Sequence, residues 1–222
     1  FIMAQQIELE IVIDGSLKVS PFTSLSLHQQ INGHHYFELR FNHDIKSGKD
    51  GLPITKFQEY LGKSITFTFG SGMYKISKSQ SDQVFKGVIT EIVMANTTFE
   101  PGNMIVKGYS PTILLEGNKN CSFHLEKNLK QIVSKVSEKI PGNVLAFNIK
   151  PSNWNQTIPY CVQYNESNFD FLKRLSADYG EWLLYNGKEF YFGKPASLPV
   201  VKVSYPEDIS EMNLSLRVAP FN

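Results

Sequence analysis

The chain has 222 residues, 41% of them hydrophobic, and its formal net charge at pH 7 is +1. A chain of this length and composition can bury a sizeable core, as one large or two modest domains. The near-neutral charge argues against a general nucleic-acid binder, which would carry a strong basic excess. No run of residues approaches the roughly 18 apolar positions of a membrane-spanning helix.

The first half of the chain alternates apolar and polar residues with a period of two, which is typical of half-buried strands. The predicted strands are 7–13, 22–31, 34–42, 63–69, 84–94 and 104–109. The pair Asn32-Gly33 predicts a two-residue hairpin turn between the second and third strands, because both residues tolerate positive φ. Many short strands with frequent turns indicate a barrel or a sandwich.

A helical pattern begins after residue 128. Apolar residues recur there at helical spacing, namely Leu129, Ile132, Val133, Val136 and Ile140. Asn128 is a suitable N-cap with Gln131 three residues later, and Pro141-Gly142 predicts the stop.

A second helix is predicted at 168–179, followed by a hairpin around Asn186-Gly187 and by strands at 200–204 and 212–218. We therefore predict a mainly β protein with α additions (α+β), in which two similar β-barrels carry short helices. The expected division is a first barrel at 1–110, a helical connection at 111–143, and a second barrel at 144–222. That second barrel would contain the helix 168–179 and would be incomplete at its C-terminus.

The charged cluster of Glu166, Asp170 and Arg174 allows two interpretations, an active site or a structural brace for the second helix. Ser167 fits an N-cap, and Asp170 could reach back to the N–H of the cap. Asp170 and Arg174 stand four residues apart, so they are expected to pair on one helical face. Catalysis by paired carboxylates needs one raised pKa, whereas a neighbouring arginine lowers it. We therefore favour the brace.

Other residues offer no clear catalytic or metal-binding pattern. His34 and His35 are adjacent on a predicted strand, so they should point to opposite faces and not bind one metal together. Cys121 and Cys161 are expected to be free thiols. Phosphate-binding glycine motifs and a complete nucleophile elbow are missing from the sequence. We therefore predict no catalytic, cofactor-binding or metal-binding residues, and no cofactor.

The segment 162–193, VQYNESNFDFLKRLSADYGEWLLYNGKEFYFG, resembles spike proteins of type VI secretion systems, the valine–glycine repeat protein G family. The matching residues are Gln163, Tyr164, Glu166, Ser167, Phe169, Phe171, Arg174, Leu175 and Gly180. The segments FKGVITEI (85–92) and KGYSPTILLEG (107–117) agree as well. Asp178-Tyr179 departs from the pattern, because the family often has two acids there, and the N-terminal third matches only in style.

The resemblance implies a tail-hub-like head of two similar β-barrels that assembles as a homotrimer. In that family the head sits on a hexameric tube, and the chain continues into a further barrel and a needle. The implied partners are the tube protein, the spike needle or a tip protein with effectors, and baseplate components, without nucleic acid. The implied location is cytoplasmic before firing and exported or in the target cell afterwards. The sequence looks like a head fragment, or a short hub whose needle is a separate chain.

A hexameric ring seated on a trimer is a symmetry mismatch, which two quasi-equivalent barrels in each protomer would resolve. The expected function is therefore that of a structural hub without catalysis. Two alternatives remain open. A carbohydrate-binding module could stack sugars on Trp154 and Trp182, and a cell-wall hydrolase could use Glu181 or Glu189, whose neighbours are aromatic.

Overall fold

The computed structural model describes residues 7–42, 58–71, 83–95 and 103–195. The strands, in chain order, are β1 Ile7–Ile13, β2 Leu17–Lys18, β3 Ser24–His28, β4 Tyr36–Asn42, β5 Ser64–Ser71, β6 Gln83–Ala95, β7 Asn103–Tyr109, β8 Asn120–Asn128, β9 Ala146–Ile149, β10 Thr157–Glu166, β11 Leu183–Tyr185 and β12 Glu189–Phe192. The helices are a 3-10 helix at Pro111–Glu116, α1 at Leu129–Ser137 and α2 at Asn168–Asp178.

The first seven strands form one antiparallel sheet in the order β2-β1-β5-β6-β7-β4-β3. Six of its strands follow the predicted period-two segments and the two-residue β2 was not predicted, so the mainly β prediction is confirmed. The apolar faces meet in a core in which Phe37 and Leu39 are fully buried. The Phe37 ring contacts the Phe67 ring edge-on, with the centroids 5.3 Å apart, a favoured arrangement for aromatic pairs.

The hairpin between β3 and β4 is real, but the predicted two-residue turn is wrong. β3 ends at His28 and β4 begins at Tyr36, so residues 29–35 form a longer connection. Asn32 has the expected positive φ of 58°, yet its backbone N–H donates to the carbonyl of Leu183 at 3.0 Å. The connection is therefore used for a contact with the second half of the chain.

The second half contains two smaller sheets. β8 and β10 form a two-stranded antiparallel sheet, and β11, β12 and β9 form a three-stranded one in which β12 and β9 are parallel. The segment predicted as a helical connection thus also holds a strand, β8, which pairs with β10. The strands predicted at 200–204 and 212–218 lie outside the described residues, and the second barrel stays a prediction.

Both helices begin as their sequences predict. The Asn128 side chain accepts from the backbone N–H of Gln131 at 2.9 Å, and the Gln131 side chain accepts from that of Asn128 at 3.0 Å, which is a complete capping box. Four residues of α1 are buried, Leu129, Ile132, Val133 and Val136. Ile140 lies beyond the helix and packs partly against the core.

The two halves are joined at the turn between β11 and β12. The backbone N–H of Lys86 on β6 donates to the carbonyl of Gly187 at 2.8 Å. The Tyr185 hydroxyl lies 2.7 Å from the carbonyl oxygen of Gly187 and 3.1 Å from that of Lys86. Burial raises the pKa of Tyr185 well above its usual value, against a small opposing effect of the Lys86 backbone, so the hydroxyl keeps its proton for this contact.

His35 is buried beside the same turn. Its ring stacks on Phe85, with the centroids 6.0 Å apart, and meets the Tyr185 ring edge-on at 5.5 Å. Nε2 lies 3.2 Å from the carbonyl oxygen of Gln30, while Nδ1 has no partner in the described part of the chain. Burial lowers the pKa of His35, an effect that the Gln30 carbonyl opposes and neighbouring His34 reinforces.

Gly187→Ala is expected to weaken this joint severely. Gly187 has a φ of 100°, and an added Cβ would collide with the carbonyl oxygen of Val84. Gly15→Ala is the matched control, since Gly15 also has positive φ, 69°, but open space around it. We expect Gly15→Ala to cost about 1–2 kcal/mol of unfolding free energy and Gly187→Ala at least twice as much, measured by urea unfolding. Equal losses would mean that the turn does not press against β6.

Because His35 is buried, we predict that the free energy of unfolding decreases as the pH is lowered. Its folded-state pKa lies below its ordinary value, so at pH 7.5 the ring is neutral in both states. As the pH falls through about 6.5, the unfolded chain gains the proton first, which favours unfolding. Unfolding free energies at pH 7.5 and 5.5 should therefore differ less in His35→Gln than in the original protein. Exposed His28→Gln is the control, and an unchanged difference in His35→Gln would contradict the assignment.

Candidate assembly surface

The paired strands β8 and β10 present an exposed apolar face, which we call the ribbon face. It is defined by Phe123 and Leu125 on β8 and by Tyr160, Val162 and Tyr164 on β10, and these residues lie opposite one another or in alternate register positions. Phe123 is 67% exposed, Leu125 54%, Tyr160 63% and Tyr164 77%. Contiguous apolar patches of this kind mark interaction sites on soluble proteins.

The polarity of the ribbon is inverted relative to an ordinary half-buried sheet. The more polar residues of the alternation, Ser122 and His124 on β8 and Gln163 on β10, face the protein. Gln163 is almost fully buried and accepts a hydrogen bond from the Ser122 hydroxyl at 3.2 Å. Its amide nitrogen lies 3.1 Å from the side-chain oxygen of Asn168 at the start of α2. Gln163 therefore has its polar partners on the inward face, where Cys161 is also buried, whereas Phe123, Leu125, Tyr160 and Tyr164 lie outside.

Arg174 connects α2 to the end of β10. Its Nη2 donates to the carboxylate of Glu166 at 2.7 Å and to the carbonyl oxygen of Val162 at 2.6 Å, and its Nε donates to the other Glu166 oxygen at 3.3 Å. The guanidinium also lies over the Phe171 ring, 5.3 Å from its centroid. The hydrogen bond to Glu166 is the main reason that the pKa of Arg174 is raised. This geometry is that of a brace.

The predicted pairing of Arg174 with Asp170 is wrong. Arg174 instead forms ion pairs with Glu166 and, at 3.6 Å, with Asp178 one turn later. The long arginine side chain reaches back to β10, where Glu166 and a backbone carbonyl offer a forked set of acceptors. The backbone N–H of Asp170 donates to the Ser167 hydroxyl at 3.0 Å, which confirms the N-cap.

A second set of contacts ties α2 to the first sheet. His34 Nδ1 lies 2.8 Å from the Thr112 hydroxyl, and Nε2 lies 3.0 Å from the Glu116 carboxylate. The His34 ring packs on Phe169 of α2, with the centroids 3.9 Å apart. Burial raises the pKa of Glu116, but hydrogen bonds, chiefly from His34, outweigh it and leave the pKa below its ordinary value. His34 and His35 thus serve different contacts.

Glu181, one candidate acid of the hydrolase alternative, orders a loop. Its Oε1 accepts from the backbone N–H groups of Ser152 at 2.8 Å, Asn153 at 2.7 Å and Trp154 at 3.3 Å. Its Oε2 is buried and has no hydrogen-bond partner among the described residues. The carboxylate therefore fastens residues 152–154 to the start of the β11–β12 hairpin.

Glu189, the other candidate acid, lies at the opposite end of that hairpin. Glu189 is the first residue of β12, next to the turn, and its carbonyl accepts from the backbone N–H of Asn186 at 3.1 Å. Glu181 lies before the start of β11. Five residues of nearly extended chain from 181 to 186 span roughly 16 Å at ~3.3 Å per residue. Two-carboxylate glycosidases need their acids within roughly 5–10 Å, so the hairpin does not bring these two together.

The two tryptophans are only partly available. Trp154 and Trp182 are each 38% exposed, and the Trp154 ring packs against Tyr179 with the centroids 5.4 Å apart. Aromatic side chains that stack on sugars need an open ring face, and at Trp154 the Tyr179 ring already contacts the indole.

Both cysteines are free thiols, as expected, with Cys121 exposed and Cys161 buried. In the described ranges, His, Cys, Asp and Glu side chains do not gather in groups of three or more that could hold a metal ion. Among the same residues, no helix combines the length and apolar character needed to cross a membrane.

Comparison with known families places this arrangement among phage-tail-like structural proteins. Residues 39–186 match the model of the phage tail baseplate hub (GPD) family. Because the match covers more than half of the chain, the chain belongs to this family. A search of curated proteins found no match.

Solved structures with the same fold come from secretion systems and phages. An E. coli component of the type VI secretion system, structurally similar to the T4 tail proteins gp27 and gp5, has a TM-score of 0.59 at 17% identity, covering 82% of this chain and 48% of its own. The 43 kDa tail protein of prophage MuSo2 from Shewanella oneidensis gives 0.64 at 14%, covering 85% and 54%. A chain of the Francisella PdpA–VgrG complex gives 0.57 at 15%, covering 86% and 29%.

These comparisons confirm the resemblance to tail hubs and type VI spike proteins that residues 162–193 carried. The likenesses establish the fold. This chain spans about half the length of the first two structures and less of the third.

The ribbon face itself was missed in the sequence, although a signal was present. Cys121, Phe123 and Leu125 alternate with Ser122 and His124, a period-two pattern that the predicted helical connection overlooked. Even with the strand recognised, alternation would have predicted the apolar side as the buried one.

Phe171→Ala is expected to destabilise the protein by ~3–5 kcal/mol, as for a buried aromatic side chain. Phe171 is 0% exposed, and its ring stacks against His124 of β8 with the centroids 6.0 Å apart. Chemical denaturation of the original and variant proteins provides the measurement. A loss below ~1 kcal/mol would show that α2 does not support the ribbon.

Proposed function

We propose that this chain is the structural hub of a contractile injection machine, a homotrimer that joins a hexameric tube to a spike needle without performing catalysis. The single observation that carries the proposal is the ribbon face, an apolar surface held outward on a chain of the baseplate hub family. A hub transmits force through protein contacts, so its functional surfaces should be interfaces.

The ribbon face has the composition expected of a permanent interface. Tyr and Phe are enriched in the buried centres of such contacts and charged residues are depleted there. In the ribbon face, two tyrosines and one phenylalanine stand beside Leu125 and Val162, and all five are uncharged. A permanent trimer would bury on the order of 2,000–5,000 Å² at each interface, of which this face would supply the apolar centre.

Support for a non-catalytic role comes from the way the candidate acids are used. Glu166 binds Arg174, and Glu181 binds three backbone N–H groups. Each carboxylate therefore has a structural partner. The family to which the chain belongs is of a structural type, that of the tail baseplate hub.

The trimer would meet a sixfold tube through two quasi-equivalent surfaces on each protomer. In this proposal residues 1–110 form the first barrel, 111–143 connect the halves, and 144–222 contribute the second barrel. The large curled sheet of β1 to β7 supports the first assignment, and the separate sheets around α2 are compatible with the second.

The proposed partners are the tube protein, the needle or tip protein with its effectors, and the baseplate. The similarity of the fold to one chain of the PdpA–VgrG complex and to phage tail proteins supports this choice. The proposed location is the cytoplasm before firing and the outside or the target cell afterwards.

The oligomeric state and the ribbon face can be tested together. We expect the purified chain, extended by its natural C-terminal sequence where one exists, to form trimers at micromolar concentration. Tyr160→Glu with Tyr164→Glu should convert trimer to monomer, because two charges placed at the centre of an apolar interface lose their hydration. Light scattering after size-exclusion chromatography gives the mass, and circular dichroism reports whether the fold is kept.

Ile31→Glu is the matched control, because Ile31 is also a strongly exposed apolar residue, at 66%, but lies in the connection between β3 and β4. It should leave the trimer intact. A stable monomer of the original chain, or a trimer that survives the double substitution, would rule out this assignment of the interface.

A further inference from the structure

A groove of about 660 Å³ lies between β8 and α1. On the β8 side it is lined by three consecutive residues, Phe123, His124 and Leu125. Successive side chains of a strand point to opposite faces, so a groove that touches all three follows the edge of the strand. The other edge of β8 is paired with β10, and within the described ranges β8 has no second strand neighbour. The groove therefore follows an edge of β8 that pairs with none of the described strands.

The opposite wall of the groove is a polar stripe of α1 and its C-cap. Gln131, Ser134, Lys135 and Glu138 line it, and their spacing of three and four residues places them on one helical face. Gln131 uses its side-chain oxygen in the capping box. Its amide nitrogen and the Ser134 hydroxyl make no hydrogen bond with any described residue, so both can serve a ligand.

The groove carries an excess of positive charge. Lys127 and Lys130 line it together with Lys135. Lys135 is neutralised by Glu138 at 2.9 Å, whereas Lys127 and Lys130 form no ion pair with the part of the chain that the structure describes. Two ammonium groups that no described carboxylate pairs with thus flank this edge of β8.

We infer that this groove binds an acidic, extended segment of a partner protein, which adds to the edge of β8 as a further strand. Strand addition lets the main chain of the segment supply affinity through hydrogen bonds while alternate side chains supply specificity. Its carboxylates would meet Lys127 and Lys130, and its apolar side chains would lie beside Phe123 and Leu125. The inference names a partner for the proposed hub and so rests on that function. It uses the edge of β8, with Phe123 and Leu125 as the two residues shared with the ribbon face, and not the exposed side chains of β10.

The test measures binding of a short fluorescent peptide in which Glu and Val alternate, by fluorescence anisotropy with the full chain. We expect saturable binding that weakens with added salt, because the contacts include ion pairs. Lys127→Glu with Lys130→Glu should weaken it by about ten-fold or more. Lys139→Glu reverses an exposed charge near the groove that does not line it, so it is the matched control and should bind as the original does.

A second peptide separates strand addition from simple charge attraction. It keeps the Glu and Val sequence but carries N-methyl groups on alternate backbone nitrogens, which removes the donors of one edge. We expect it not to bind. Equal binding of the methylated peptide, unchanged binding to the Lys127→Glu/Lys130→Glu variant, or a preference for single-stranded DNA over the acidic peptide would each overturn the inference.

The outcome is distinguishable from that of the trimer test. Tyr160→Glu/Tyr164→Glu should still bind the acidic peptide, because both residues lie on β10, across β8 from the groove, and neither lines it. A monomeric original chain that binds the peptide at the β8 edge would contradict the proposed trimer and support the groove. A trimer that does not bind the peptide would support the proposed trimer and contradict the groove inference.

Discussion

The packing of α2 beneath the β8–β10 ribbon is the interaction on which the proposed assembly surface depends. Phe171 is completely buried there, and Arg174 extends from the same helix to Glu166 and to the backbone of β10. A two-stranded ribbon alone is only marginally stable in water, so it needs a layer behind it. Because α2 covers the inward side, through the Phe171 ring against His124 and the contact of Asn168 with Gln163, the side with Phe123 and Tyr164 remains exposed.

The charged cluster has one physical role that explains its residue types. An arginine can donate through two nitrogens to a carboxylate and, at the same time, to a backbone carbonyl. Such a forked contact fixes the angle between a helix and a strand. His34, which precedes β4, packs on Phe169 of α2 and lies within hydrogen-bond distance of Thr112 and Glu116 in the 3-10 helix that follows β7. The helix is thus held both by β10 and by the segments next to the first sheet.

The contacts between the two halves of the chain explain why local sequence signals predicted only one of two turns correctly. Asn186-Gly187 predicted a turn and the turn is there, yet its carbonyl also pairs with Lys86 of β6. Asn32-Gly33 predicted an equally tight turn and was misleading, because residues 29–35 reach out to the second half instead. The two pairs look alike in sequence, and the difference between them lies in which distant strand each meets.

The sequence by itself determined six of the seven strands of the first sheet, the cap of α1 at Asn128, the cap of α2 at Ser167 and the family resemblance of residues 162–193. Each depends on contacts within a few residues or on a period that is legible along one strand. Only the tertiary structure decided that Arg174 pairs with Glu166 and that Phe123 and Tyr164 face outward. It also decided that a lysine-flanked edge of β8 pairs with no strand among the described residues. Those outcomes depend on which surfaces are covered by segments distant in the sequence. Alternation of apolar and polar residues shows only which residues share a face, whereas burial of that face is decided when the whole chain packs.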